Sequence, residues 1–470
     1  MRPVKRGTCL VGFLMLSACF GLQSKATVGQ QGFIAAPRSP VFEDGPMVDA
    51  AVLRSDFDLW LERVKTTNPD LGGRADLTRL DAKAREIRAT LTHSMTRREA
   101  WLRFALLNPL FNDGHSGIFL PKYRAALEDH LKQGGSVFPV EVRIDQAGQI
   151  IVSASKDRAV RVGSVIRKIN GVDARFIVAA LIARAPGDNE RHRRAWTSRR
   201  FAALYWAGYG DSGSYRLQLG AGSRQIIVAG ATELPLHLQS NPRPEALYSF
   251  KVLKGGIGYL RLDSFDEDLA PALEQLSTRA IATFRKAGVR ALIIDIRENG
   301  GGSDPPWQRS VMNRLTAKPY AQLSRYSIRV TPENADPGDI IGSVQTAEYK
   351  GRQIPPPDDL LRFTGPVYLL VGPYTYSSAI QFAVAAQDYG VAEIAGTETG
   401  GFSCQTGQVR SAVLPGSGLV VSVPLISYVR PSGKGCKAGV LADLPISEDD
   451  ARPERAIITL AAKIRRRLKR

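Results

Sequence analysis

Two adjacent serines, Ser377 and Ser378 in PYTYSSAIQF (373–382), stand where an apolar run gives way to a helical pattern. A hydroxyl at such a junction has two uses. It can cap the unpaired N–H groups of the first helical turn. It can also act as a nucleophile, because the partial positive charge at a helix N-terminus favours an alkoxide or a developing oxyanion. Ser378 is the expected nucleophile here, and Ser377 the expected cap or packing residue.

A nucleophile needs an oxyanion site and elements to hold it. In LIIDIRENGGG (292–302) a buried strand runs into Asn299 and three glycines, whose backbone can expose N–H donors close to a ligand. A plain structural turn is the alternative. GTETGG (396–401) is a further glycine-rich turn, after the strand VAEIAG. From about Tyr248 strands and helices alternate: GIGYLRLDSF, a helix over 268–287, RALIIDI, PVYLLVG and a helix over 378–389. That order predicts an α/β core around a buried, mostly parallel sheet. Residues 304–360 form a long Pro-rich excursion between two core strands, either a lid or a decorative loop.

Upstream, residues 48–110 carry helical periodicity. Short period-two strands follow between Phe138 and Ala231. Within them GSVIRKINGVD (163–173) resembles the strand and Ile-Asn-Gly turn of PDZ domains, which bind extended peptides by strand addition. RAPGDNERHRRAWTSRR (184–200) reads as an insertion.

Taken together, the three motifs resemble the S41 family of serine peptidases, the C-terminal processing proteases and their tricorn-like relatives. In that family a strand ending Asp-Leu-Arg-x-Asn-x-Gly-Gly precedes a Ser-Ala-x-Glu helix start and a Gly-Glu-x-Thr-x-Gly turn. The equivalents here are Asp295, Arg297, Asn299, Gly301 and Gly302, then Ser378, Ala379 and Gln381, then Gly396, Thr399 and Gly401. The resemblance implies a ClpP/crotonase-like α/β catalytic core with an N-terminal helical domain and a PDZ-like β-rich domain. It implies a serine endopeptidase acting on unfolded or tail-exposed proteins, without metal or cofactor.

One branch of the family takes a lysine base just after the last turn, where this chain has Phe402. The other takes a histidine from an N-terminal Asp-x-His turn, and NDGHSG (112–117) supplies His115. The other histidines, His93, His130, His192 and His237, read as solvated surface residues. The resemblance thus makes His115 the base for Ser378, with an oxyanion held by N–H groups of Gly301 or Gly302 and Ala379. The glutamate that orients the histidine in relatives falls at Cys436 or Lys437, in KGCKAGVLADLP. Asp113, Asp443, Ser116 or a backbone carbonyl are the substitutes. A catalytically weak or inactive peptide-binding protein is the competing expectation.

Length, charge and cysteines set the frame. A chain of 470 residues exceeds one compact core. The net charge of +18 comes without aromatic-studded basic repeats or zinc-finger spacing, so nucleic acid is not an expected partner. The N-terminus has a basic stretch and an apolar run too short to span a bilayer. Its LSAC (Leu16–Cys19) resembles the lipobox of bacterial lipoproteins, which implies lipidation of Cys19 and anchoring on the periplasmic side of the cell envelope, at the outer membrane. Cleavage after SKA (24–26) would instead give a soluble periplasmic or secreted protein. In such a compartment Cys404 and Cys436, both in glycine-rich loops, are a plausible disulfide. The expected organisation is a signal peptide (1–18), tether (19–47), helical domain carrying the His turn (48–130), PDZ-like domain (135–235), catalytic domain (240–462) and basic tail (463–470). The sequence sets no oligomeric state.

Overall fold

The computed structural model describes residues 47–220, 224–357, 359–447 and 452–469. The expected signal peptide, Cys19 and residues 19–46 of the tether lie outside the described residues. No helix among the described residues is long and apolar enough to cross a membrane.

Strands Ala291–Asp295 (ALIID) and Val367–Val371 (VYLLV) are buried at every position, as parallel strands covered on both faces must be. They lie side by side in a six-stranded sheet. Its order is Leu444–Pro445, Glu393–Gly396, Val367–Val371, Ala291–Asp295, Ile257–Leu262 and Tyr248–Leu253. All neighbours are parallel except the last pair. Successive side chains alternate between faces. Leu292 and Ile294 therefore pack with Leu273, Phe284 and the Ala379–Ala386 stretch, while Ala291 and Ile293 face Leu460 and Ile464. Helix Glu454–Arg467 covers that second face, burying Ala456, Leu460, Ala461 and Ile464. The expected basic tail from 463 is thus largely the end of a packed helix. Its last-turn arginines face solvent, where cations suit a helix C-terminus.

Parallel register fixes the meeting of the two key loops. Asp295 pairs with Leu370, so both strands end together and release their loops at one sheet edge.

Residues 48–130 do not stand apart from the catalytic segment. Helix Ala50–Thr67 buries Leu53, Phe57, Trp60 and Val64 on one stripe. Phe57 meets Phe104 edge-on at 4.9 Å between ring centroids. The strand Gly117–Phe119, just after His115, pairs antiparallel with Val420–Ser422. The same long strand, Val420–Val429, pairs with Thr406–Val413 and with Arg325–Ile328. The 304–360 segment therefore contributes strand Arg325–Arg329 to this sheet, and Val344–Glu348 forms its exposed edge.

Between them, strands Val140–Ile144, Ile150–Ser155, Val165–Ile169, Ser214–Leu219 and Gln225–Ala229 form a third sheet. A Val137–Ala231 bridge brings its two edges together. The stretch read as an insertion folds into helix Glu190–Arg199, and helix Phe201–Tyr209 follows it. The first is capped by Asn189, whose side chain accepts from His192 N at 3.0 Å. Glu298, just before the glycine loop, is ion-paired with Arg143 of the third sheet and Arg199 of that helix.

Cys404 and Cys436 form a disulfide across 32 residues of sequence. Closing a loop of that length is worth about 3–4 kcal/mol against the unfolded chain. The Cys404→Ser/Cys436→Ser double variant should lose stability of that order in urea unfolding. An unchanged unfolding midpoint would rule the contribution out.

Candidate active site

Ser377 caps the helix Ser378–Asp388 with φ 53° and ψ −127°, a left-handed conformation uncommon for a residue with a Cβ. Such strain costs about 1–3 kcal/mol and persists only where its surroundings enforce it. Here they do so on both sides. Tyr376 N donates to Asn299 O at 3.1 Å. A Cβ on Gly301 (φ 104°) would lie 2.6 Å from the Ser377 Cβ, so only glycine lets the loop close there. The result is a sharp strand-to-helix turn that lifts the Ser377 hydroxyl out of the helix.

His115 Nε2 lies 3.0 Å from Ser377 Oγ. The ring is supplied by the NDGHSG turn and carried in by the strand that follows, where Ser422 Oγ donates to His115 O at 2.8 Å. Nδ1 faces two hydroxyl oxygens, Thr406 Oγ1 at 3.2 Å and Tyr376 Oη at 3.1 Å. Each already gives its proton to a carboxylate: Thr406 to Asp113 Oδ1 at 2.8 Å, Tyr376 to Asp188 Oδ1 at 2.8 Å. Both therefore present lone pairs to Nδ1, which must carry the ring proton. Nε2 is left with its lone pair toward Ser377, the tautomer a general base requires.

Both carboxylates are buried and held. Burial alone would raise Asp113, but hydrogen bonds from His115 and the charges of Arg74 and His115 outweigh it and hold the carboxyl well below its usual range. Its oxygens accept from His115 N at 2.9 Å, Ser116 Oγ at 3.0 Å and Asn68 Nδ2 at 3.4 Å. Asp188 accepts from Gly114 N and Phe402 N, each at 2.9 Å, and pairs with Arg74 at 3.3 Å. Burial pushes the Tyr376 phenol far up, with the charges of Asp188 and Asp113 adding to it, so it stays a donor.

Several sequence expectations change. Ser378 does not face the imidazole. Its hydroxyl is buried on the other side of the turn, 2.6 Å from Asp304 Oδ1 and 2.8 Å from Ser303 O, and it accepts from Trp307 Nε1 at 3.0 Å. Ser377 keeps the N-cap position without a side-chain cap bond, and it is Ser377 rather than Ser378 that faces the imidazole, because the residue before the helix turns its side chain outward. Ala379 N is already donated to Tyr376 O at 3.0 Å, and Gly301 N to Asn299 Oδ1 at 2.8 Å. Gly302 pairs with Phe265, away from the cleft, while Gly300 lines it. Ser378 N, in the first turn of the helix, lies beside Gly301. Asp443 is not at the ring: it accepts from Gln387 Nε2 and Ile394 N. Ser116 reaches Asp113 rather than the imidazole. Asp113 does stand behind the ring, 3.7 Å from Nδ1, acting mainly through Thr406.

Asp188, Tyr376 and Thr406 escaped the sequence reading. Tyr376 sits in the quoted serine stretch and Asp188 in the supposed insertion. Only the Asp-Asn pair opening a helix (188–189) hinted that the latter segment is structured. His192 is not a surface residue either. It is buried, stacked on Tyr376 at 4.0 Å between centroids, with Gly400 closed against its backbone. His130 is likewise buried, bonded to Asp211 at 2.9 Å, and His237 is half-buried.

Burial pushes the His192 ring down to about 4, with Asp188 opposing and His115, Arg200 and Arg193 assisting. An unfolded histidine titrates near 6.5. The neutral ring therefore favours the fold fully above about pH 6.5. That contribution, about 3 kcal/mol, is lost as pH falls toward 4, where the unfolded chain takes up a proton the folded one does not. The stability advantage of wild type over His192→Phe should shrink by that amount between pH 7.5 and 4. A constant difference would contradict a ring held neutral.

The family model of peptidase family S41 matches residues 256–446. Among solved structures the chain is similar to mature CPAF, with a TM-score of 0.62 at 16% identity, covering 88% of this chain and 96% of that one. It is also similar to the photosystem II D1 C-terminal processing protease (TM-score 0.46, 17% identity, 84% of this chain and 92% of that one). A third is a putative S41 protease from Bacteroides fragilis NCTC 9343 (TM-score 0.40, 15% identity, 70% and 83%). The likeness to CPAF is one of fold, and it spans the helical, β-rich and α/β parts alike.

Proposed function

We propose that the chain, whose residues 256–446 match peptidase family S41, a family of serine-type peptidases, cleaves peptide bonds with Ser377 as nucleophile and His115 as general base. The single observation behind this is the 3.0 Å contact between His115 Nε2 and Ser377 Oγ, on a strained turn at a helix N-terminus. His115 Nε2 takes the hydroxyl proton as Ser377 Oγ attacks the carbonyl carbon. The tetrahedral oxyanion is held by the N–H of Ser378, and Gly300 leaves room for it. His115 returns the proton to the leaving amine, the C–N bond breaks, and an acyl ester remains on Ser377. Water, deprotonated by His115, hydrolyses that ester and regenerates the hydroxyl. Asp113 through Thr406 and Asp188 through Tyr376 orient the imidazole and stabilise its cationic form, the part a directly bonded carboxylate plays elsewhere.

Substrates are unfolded or tail-exposed proteins in the bacterial envelope. The location rests on the apolar, Cys19-containing N-terminus, and metabolic labelling with palmitate that is lost in Cys19→Ser would support it. For the activity, a reduced and alkylated protein is incubated with the enzyme and new N-termini are counted. Cleavage that is blocked by a fluorophosphonate and untouched by EDTA is expected. Metal-dependent turnover would overturn the reading. A peptide holder without turnover is the second reading, favoured by the 3.7 Å gap between Nδ1 and the nearest Asp113 oxygen. Peptide binding without fluorophosphonate labelling would support it.

A further inference from the structure

The cleft onto which Ser377 opens has a volume of about 360 Å³, with His115, Tyr123, Trp196, Arg200 and Tyr374 among the residues around it. No aspartate or glutamate is among its lining residues. Arg200 Nη1 donates to Tyr374 Oη at 3.2 Å, and the guanidinium lies 4.6 Å from the Trp196 ring centroid and 5.9 Å from that of Tyr374. Tyr123 lines the same cleft. The neighbouring Arg199 has its charge answered by Glu298, whereas among the described residues Arg200 is paired with no carboxylate. A cation largely withdrawn from water and answered only by phenols and ring faces is poorly compensated. A planar guanidinium keeps further N–H donors for a planar anion.

We propose that this cleft is a subsite for a carboxylate adjoining the scissile bond, bound by Arg200 and by the hydroxyls of Tyr374 and Tyr123 between aromatic walls. The subsite rests on the peptidase reading above. Tyr374 serves both charges, since it accepts from Arg200 and turns its O–H to the incoming anion. The carboxylate comes either from an acidic side chain or from a substrate C-terminus, and both meet the same donors. Charge-assisted, two-pronged hydrogen bonds of this kind separate an acid from its neutral isostere by about ten- to a hundred-fold.

The test uses full-length enzyme and peptides that differ only beside the scissile bond, carrying Glu, Gln or Lys, each as free acid and C-terminal amide. Glu is expected to exceed Gln by tenfold or more in kcat/KM, with Lys poorest. Arg200→Gln should abolish the difference and Arg200→Lys should keep part of it. A preference for Glu over Gln that survives amidation assigns the anion to the side chain, and a preference for free acid over amide whatever the residue assigns it to the terminus. Equal cleavage of all peptides by wild type would sink the subsite and leave the peptidase reading standing. No cleavage of any peptide, with Ser377 unlabelled by fluorophosphonate, would remove the peptidase reading and the subsite with it. Should Arg200→Gln fail to fold, the wild-type comparisons of Glu with Gln and of free acid with amide decide alone.

Discussion

Replacing Ser377 by alanine is expected to lower turnover of unfolded protein by about ten-thousand-fold or more, the scale seen when a serine nucleophile is removed. Ser378→Ala should keep turnover within about tenfold of wild type. The reason is geometric: the imidazole addresses Ser377 at 3.0 Å, while the Ser378 hydroxyl is enclosed by Ser303, Asp304 and Trp307. Losing Ser378 has a different cost. It strips buried Trp307 Nε1 and Asp304 of a partner, worth about 1–3 kcal/mol of stability. The two variants should therefore separate cleanly, one inactive and stable, the other active and less stable. Initial rates together with thermal midpoints show which is which, and the reverse pattern would refute the assignment.

The second large effect lies behind the ring. Thr406→Val and Tyr376→Phe each remove one of the two oxygens that Nδ1 meets. Singly they should slow kcat by about tenfold, because the other oxygen still fixes the tautomer. Together they should slow it by about a thousand-fold, toward the loss caused by misplacing the triad proton. Residues in one network couple, so the double loss should exceed the product of the singles. Phe keeps the ring stacked between His115 and His192, so KM should hold steady while kcat falls. A merely structural role would instead lower the fraction of folded enzyme and leave its kcat unchanged. If the double variant behaves like wild type, the hydroxyl relays have no part in orienting His115.

Much of the fold was written in local pattern. The apolar runs at 291–294 and 367–371 and the helix from 378 follow from local pattern, whereas the convergence of the glycine loop with the serine turn was implied by the family resemblance and is set by the parallel register of the two strands. The site was legible at the level of His115 and the serine pair. The choice between the serines was not: the helix start at 378 was expected, but the positive φ that turns Ser377 outward is enforced by its tertiary contacts with Asn299 and Gly301. A shift of one position exchanges an outward hydroxyl for a buried one. The orienting groups were out of reach for another reason. Asp188 and Thr406 lie far from His115 in sequence and act through hydroxyls, so no carboxylate stands where a motif would put one. The position where the resemblance puts an orienting glutamate falls at Cys436 or Lys437, and Cys436 is one end of a disulfide. That bridge fixes Cys404, two residues before Thr406. Charged, arginine-rich 184–200 reads as an insertion. It folds instead because Asn189 caps a helix and Arg199 and Glu298 pair across to the glycine loop.

The most direct test is to let the enzyme mark its own nucleophile. Wild-type protein is treated with a fluorophosphonate, digested, and the modified peptide sequenced by tandem mass spectrometry. The account predicts a single phosphonyl adduct on Ser377, absent in His115→Ala. An adduct on Ser378, or a labelled and active Ser377→Ala, would contradict it.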